Sequence, residues 1–272
     1  MVSKGDEILL SQELAIKKIY ASLKEDSLVQ AIFLKGSMGR NEHDEHSDVD
    51  LYCLVNKEEE KQFLSKRLKH LQAYRDIIFK DDIFIIAPQM IVVFDDLLHI
   101  DLFTVTRESF AGKDFFKVLY DPHHIMDEFV HTQGLTLTMD EYRDDVMDVA
   151  WFLFQYKKSA ARGNDIWSVR MLTNVVHHLA RVLLVRYVPE RAQLGLKIIE
   201  QSLPGPLLVN VAGILECLTP SKHAQAANQI SRLVTREYDW IYSQLNEEHQ
   251  TLRFLRRMVL DDEFSGVQYD VS

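Results

Sequence analysis

Apolar and polar positions along this chain follow two different rhythms, and the change between them falls near residue 135. From Asp6 to about Lys24, Ile8, Leu9, Ile16, Ile19 and Leu23 recur at helical spacing and predict an amphipathic helix. Val29 to Lys35 is a short apolar run that reads as a strand. From Asp48 to Val55 the period becomes two. Val49, Leu51, Cys53 and Val55 share one face, and Asp48, Asp50, Tyr52 and Leu54 share the other. Lys57 to about Tyr74 predicts a charged amphipathic helix with Phe63, Leu64, Leu68 and Leu71 inward. The run "QMIVVFDDLLHIDLFTVT" predicts a hairpin with a two-residue turn at Asp95-Asp96. On its second strand His99, Asp101, Phe103 and Val105 share a face. "FKVLYDP" predicts one more short strand, stopped by Pro122.

The second half is almost entirely helical. Thr138 with Glu141 three residues on has the spacing of a capping box, and the helix it opens runs to about Arg162. Gly163-Asn164 ends that helix, and Asp165 is placed to cap the next, which continues to Pro189. "LPGP" at 203–206 and "TP" at 219–220 punctuate shorter helices. A last long helical region runs from Ser221 into the 250s, and the tail after Asp262 reads as loosely ordered. The fold class is therefore α+β: a small mixed β-sheet domain over 1–135, then an all-α helical bundle over 136–272.

Charge narrows the function. The 272 residues hold 31 Lys+Arg against 41 Asp+Glu, a formal charge of −10. Nucleic-acid binding needs clustered cations for phosphate contacts, so the balance argues against it. It suits a cationic small molecule or a site that holds metal ions. Cys53 and Cys217 sit in apolar surroundings and read as buried free thiols. No apolar run reaches the roughly 20 residues a membrane span needs. Gln12, Glu13 and two lysines interrupt the first apolar segment, so it is not a signal peptide; a cytoplasmic protein is the expectation.

The candidate chemistry lies in "FLKGSMGRNEHDEHSDVDLYCLV", Phe33 to Val55. Gly36 and Gly39 allow close backbone approach, and the amides after them with the Ser37 hydroxyl can wrap a phosphate. Asp48 and Asp50 are spaced i, i+2 on a strand, so both carboxylates face one way, roughly 7 Å apart along the backbone. Two anions so placed repel unless a cation lies between them. Mg²⁺ takes a few carboxylates together with phosphate oxygens and water, which a phosphate-cradling turn one loop away would supply. Asp101 interrupts "LLHIDLFTV" where an apolar residue would otherwise serve. It is the candidate third carboxylate of a two-metal site and the group to help deprotonate an attacking hydroxyl.

On Gly36-Ser37-Met38-Gly39-Arg40 followed by Ser47-Asp48-Val49-Asp50-Leu51, the sequence resembles the DNA polymerase β-type nucleotidyltransferase superfamily, with Asp101 matching its third carboxylate. The motif spans about residues 30–105. The order of elements beyond it, and the "RGNDIWSVRML" junction, make the chain similar to antibiotic nucleotidyltransferases that modify aminoglycosides or lincosamides. The resemblance implies a mixed sheet of about five strands, with MgNTP bound through Gly36, Ser37, Gly39 and Arg40. It implies ATP as donor and two Mg²⁺ ions held by Asp48, Asp50 and Asp101. The reaction implied is transfer of a nucleoside monophosphate to a hydroxyl of a small, cationic acceptor, with pyrophosphate released. It also implies an acceptor-binding role for the helical domain, and it admits a homodimer. Two readings from other classes stay open, a protein-modifying (antitoxin-type) nucleotidyltransferase and a non-catalytic nucleotide sensor. The chain departs from the pattern at Asn41, where the family often has Gly, and in the acidic loop Glu42, Asp44, Glu45. That loop is expected to face solvent or to attract a cationic acceptor.

Other positions have plainer readings. His43 and His46 have metal-like spacing but no further ligands beside them. His177-His178 lie mid-helix and suit a surface position or interhelical hydrogen bonds. Asp144, Asp145 and Asp148 suit a solvated helix start, with an acceptor-binding anion as the alternative. Arg170 suits either a surface ion pair or a phosphate. Trp151, Trp167 and Tyr156 suit a core.

Overall fold

The computed structural model describes residues 10–245 and 249–259. Ile8 and Leu9 of the first predicted helix, and the tail after Asp262, lie outside the described residues. The chain divides into two units, Met1–Gly134 and Leu135–Ser272.

The first unit is built on a six-stranded mixed sheet. Its elements in chain order are α1 (Ser11–Lys24), β1 (Val29–Leu34), a single helical turn α2 (Gly36–Gly39) and β2 (Val49–Val55). After these come α3 (Glu60–Leu64), α4 (Arg67–Leu71), β3 (Ile77–Phe84), β4 (Pro88–Phe94), β5 (His99–Val105) and β6 (Lys117–Tyr120). The strand order is β3-β4-β5-β2-β1-β6. All neighbours pair antiparallel except β2 and β5, which are parallel. Parallel pairing needs a long crossover, and here α3, α4, β3 and β4 provide it. The period-two pattern of β2 sends its side chains into two cores. Val49, Leu51, Cys53 and Val55 pack with Ile19, Leu23 and Leu71. Tyr52 and Leu54 pack with Phe33, Phe103 and Phe110.

Three sequence expectations change here. The helix expected over 57–74 is a 3₁₀ turn (Lys57–Glu59) followed by α3 and α4. At the break Lys66 reaches out to Asp26, while the guanidinium of Arg67 is buried against Asp82 at 2.8 Å. The hairpin turn has three loop residues, not two. Phe94 N–H donates to Leu98 O, Leu97 N–H donates to Phe94 O, and Leu97 takes φ +66°, the left-handed position that closes a three-residue loop. The sheet also gains β3, which sequence reading missed. "IIFKDDIF" lacks alternation because β3 is an edge strand, paired among the described residues only to β4 and exposed along most of its length.

Helix α1 and helix α4 are joined by a polar cluster at Asp26. Its carboxylate accepts from Leu28 N–H (3.1 Å) and Lys66 Nζ (3.1 Å) and meets His70 Nε2 at 3.1 Å; His70 Nδ1 in turn meets Ser22 Oγ at 2.9 Å. Burial pushes the Asp26 pKa up, but the Leu28 amide, Lys66 and His70 together outweigh it, leaving it below the usual 3.8. A carboxylate lowered in the folded state stabilises above its unfolded value and loses that contribution as pH falls through its folded value. Asp26→Asn is therefore expected to cost about 1–3 kcal/mol at pH 7. The gap to the unmodified protein should narrow below about pH 4. Thermal melts between pH 3 and 7 check this; a gap independent of pH would refute it.

The second unit is helical: α5 (Met139–Ala160), α6 (Asp165–Tyr187), a 3₁₀ segment (Pro189–Ile198), α7 (Ile199–Ser202), α8 (Gly205–Glu216), α9 (His223–Gln244) and α10 (His249–Val259). The Thr138–Glu141 capping box forms, with Glu141 N–H donating to Thr138 Oγ1 (3.2 Å) and Thr138 N–H donating to Glu141 Oε2 (2.9 Å). Gly163 takes φ +68° after α5. Asp165 is not a cap. It stands in the first turn of α6, and its carboxylate binds His223 (3.2 Å), whose other ring nitrogen meets the Tyr156 hydroxyl at 3.0 Å. The last helical region is two helices, α9 and α10. Asp145 is not solvated either. It is 4% exposed and lies between His178 (2.8 Å) and Arg181 (2.9 Å) of α6. Trp151 and Trp167 are exposed, whereas Tyr156 is buried. Cys53 and Cys217 are buried and free. Among the described residues, no single helix is long and apolar enough to cross a membrane.

Candidate active site

Parallel pairing of β2 with β5 sets Asp50 directly opposite Asp101. The two sequence-distant carboxylates thus share one face of the sheet at one height. Asp48 precedes the first residue of β2 and is more open, its side chain 53% exposed against 13% for Asp101. His99, two residues before Asp101, stands among them. Its Nε2 meets Asp101 Oδ1 at 2.9 Å and its Nδ1 lies 4.0 Å from Asp48 Oδ2. The hydrogen bond to Asp101 raises the His99 pKa against the effect of burial, and the charges of Asp101, Asp48 and Asp50 push the same way.

The turn after β1 closes over this group. Gly36 takes φ +59°, and a Cβ there would lie 2.0 Å from Asp50 Oδ2. A Cβ on Gly39 would lie 2.9 Å from the carbonyls of Leu34 and Phe115. Both glycines are therefore required by close approach, which is what "GSMG" suggested. The Ser37 hydroxyl makes no hydrogen bond among the described residues. Asn41, at the position where the sequence departs from the family pattern, takes φ +57°. An asparagine tolerates that left-handed conformation better than other non-glycine residues.

Arg40 is placed differently from a free phosphate ligand. Its guanidinium donates to both carboxylate oxygens of Asp114 (3.0 and 2.7 Å) and to Glu42 (3.0 Å). The acidic loop is ordered from within and from α1. Asp44 accepts from His46 N–H (3.0 Å) and Ser47 Oγ (3.1 Å), and the buried Gln12 amide donates to the carbonyls of Asp44 (3.0 Å) and Ser47 (2.8 Å). Sequence reading treated Gln12 only as a polar interruption. A polar cavity of about 510 Å³ opens beside Asp48 and His99, with Glu45, Asp96 and Gln12 also in its wall. His43 and His46 are not joined by further ligands. Among the described residues, no group of three or more His, Cys, Asp or Glu side chains stands ready-made at metal-holding distances.

One further residue belongs here. Lys35 stands between the end of β1 and Gly36, and its Nζ lies 5.4 Å above the Tyr52 ring and 5.3 Å from that of Phe110, donating to the Lys113 carbonyl. Burial lowers its pKa, opposed by Asp114 and Asp50. Tyr52 stacks between Phe33 (5.2 Å) and Phe103 (4.4 Å), and burial, then Asp50 and Asp101, drive its hydroxyl pKa up. The site therefore rests on an aromatic floor with one desolvated cation beside it. Only the position of Lys35 next to Gly36 hinted at this in the sequence.

Residues 16–114 match the family model described as nucleotidyltransferase domain. No curated protein matches the sequence significantly. Among solved structures, an aminoglycoside 6-adenyltransferase from Bacillus subtilis is similar at 10% identity and TM-score 0.40, over 93% of this chain and 100% of that one. A nucleotidyltransferase-like protein from Exiguobacterium sibiricum 255-15 is similar at 12% identity and TM-score 0.38, over 85% of this chain and 77% of that one.

Proposed function

We propose that this chain, a nucleotidyltransferase by its domain at residues 16–114, transfers a nucleoside monophosphate from ATP to a hydroxyl of a small cationic acceptor. The observation that carries the reading is the register of Asp50 against Asp101, with Asp48 at the strand head and Gly36 pressed onto Asp50. Three carboxylates crowd one patch of sheet, with His99 bonded to Asp101 (2.9 Å) and 4.0 Å from Asp48. The hard oxygen donors of Asp48, Asp50 and Asp101 suit Mg²⁺. When bound, such ions neutralise triphosphate charge and acidify the acceptor hydroxyl.

The chain's own groups divide the remaining work. The Ser37 hydroxyl and the amides at the start of the turn after Gly36 hold phosphate oxygens, with Lys35 as a nearby cation, while the Gly39 amide is spent within the turn on the Lys35 carbonyl (2.9 Å). The acceptor oxygen bonds to the α-phosphorus, the bond from that phosphorus to the bridging oxygen breaks, and pyrophosphate leaves. Asp101 takes the hydroxyl proton, while its other carboxylate oxygen stays bonded to His99. Positioning and charge neutralisation supply most of the rate. For the acceptor, the polar cavity beside Asp48 presents the carboxylates of Glu45, Asp48 and Asp96. Together with the net charge of −10, this supports an aminoglycoside-like polycation over an uncharged acceptor.

The test is a panel of aminoglycosides and lincosamides with ATP or GTP and Mg²⁺, read as pyrophosphate release. Turnover with aminoglycosides is expected. Turnover with lincosamides alone would replace the acceptor class. Label passing from nucleotide to protein in a lysate, or nucleotide binding with no turnover on any acceptor, would overturn the small-molecule reading.

A further inference from the structure

A second candidate site lies wholly within the helical unit and shares no residue with the carboxylate site. Helix α5 contributes Met147 and Trp151, one turn apart on one face. Helix α10 contributes Gln250, Arg253, Phe254, Arg256 and Arg257, and the groove they line holds about 720 Å³, within the range of small-ligand sites. Trp151 is 46% exposed. Its ring is held in place, 5.9 Å from Phe154, which in turn meets Phe254 at 5.9 Å. The groove wall is therefore an anchored aromatic face, not a loose surface residue.

The charge of the groove runs against that of the chain. Carboxylates outnumber cations overall, and Arg40, Arg67, Arg75, Arg181 and Arg186 each pair with one. Arg253 and Arg256 form no ion pair or hydrogen bond among the described residues, and described α10 contains no acidic residue. Two guanidinium forks beside an open indole match a ligand with a phosphate and a planar ring. The forks take phosphate oxygens bidentately, the ring stacks on Trp151, and the Gln250 amide is placed to bond a base edge. The same cations repel the polycationic acceptor proposed for the first unit.

We infer that this groove binds a purine nucleotide, separately from the site that carries out transfer. The probe is AMP, titrated by calorimetry into the full chain in EDTA, so that no metal-dependent loading of the first unit contributes. Saturable binding is expected, unchanged in Asp50→Asn. The double variant Arg253→Gln/Arg256→Gln and the variant Trp151→Ala should each bind AMP about tenfold or more weakly. Both alter exposed side chains, and unchanged thermal melts establish that they fold. Ribose 5-phosphate and adenosine should each bind less tightly than AMP, because each lacks one half of the recognised chemistry. The inference is overturned if AMP does not saturate, if ribose 5-phosphate binds as well as AMP, if the arginine variant keeps normal affinity, or if Asp50→Asn removes the binding.

Discussion

Asparagine in place of Asp50 is expected to cut pyrophosphate release by at least about 10²–10³-fold, the scale of losing one preorganised electrostatic group at a reacting phosphate, while leaving the fold intact. The substitution keeps side-chain volume, and the main-chain bond from Lys35 N–H to Asp50 O (3.0 Å) does not depend on the side chain. What disappears is one negative charge opposite Asp101. The lost charge relieves repulsion with Asp101 but also gives up attraction to Lys35, so the melting temperature should change little. Asp48→Asn should behave alike. Asp101→Asn should retain nucleotide binding but lose turnover by about 10²–10⁴-fold, as for a lost general base. Full turnover in Asp48→Asn or Asp50→Asn would sink the metal assignment. Wild-type behaviour of Asp101→Asn would move the proton acceptor to another residue.

Gly36→Ala should be nearly as damaging, although it adds one methyl group and removes no charge. The new Cβ would stand 2.0 Å from Asp50 Oδ2 and 3.2 Å from its Cγ, so the carboxylate must turn away. The backbone at φ +59° adds about 1–2 kcal/mol of strain for any residue with a Cβ. Because both substitutions act through the same carboxylate, Gly36→Ala/Asp50→Asn should be no slower than the worse single variant, a non-additivity that marks residues acting as a unit. Multiplying defects would refute the coupling. Gly39→Ala serves as the contrast. Its Cβ would press on two backbone carbonyls, which cannot rotate away, so it should lower the melting temperature more than Gly36→Ala.

Several features were legible in the residues alone, all for local reasons. Period-two alternation placed Asp48 and Asp50 on the face opposite Val49 and Leu51. The capping-box spacing of Thr138 and Glu141 located the start of α5. Glycine at 36 and 39 marked a turn with close backbone approach. The shift from mixed to helical periodicity near residue 135 marked the change of architecture. Each of these rests on neighbours a few residues away, where chain geometry leaves little choice.

Tertiary structure decided what distance along the chain concealed. Asp50 faces Asp101 only because a long crossover returns β5 parallel to β2, and no local pattern sets that register. The edge position of β3 excused it from alternation, so its sequence carried no strand signal. Asp145 reads as a solvated acid until α6 brings His178 and Arg181 to it, and Trp151 reads as core until its face is left open beside α10. Lys35 becomes a desolvated cation only because the ring of Tyr52, from the neighbouring strand, packs against its ammonium group. Local periodicity and turn chemistry were enough to say which faces carry charge and where the chain turns. Which charges meet, and which aromatic rings stay uncovered, was decided by strand order and helix packing, because those contacts join residues that only the folded chain brings together.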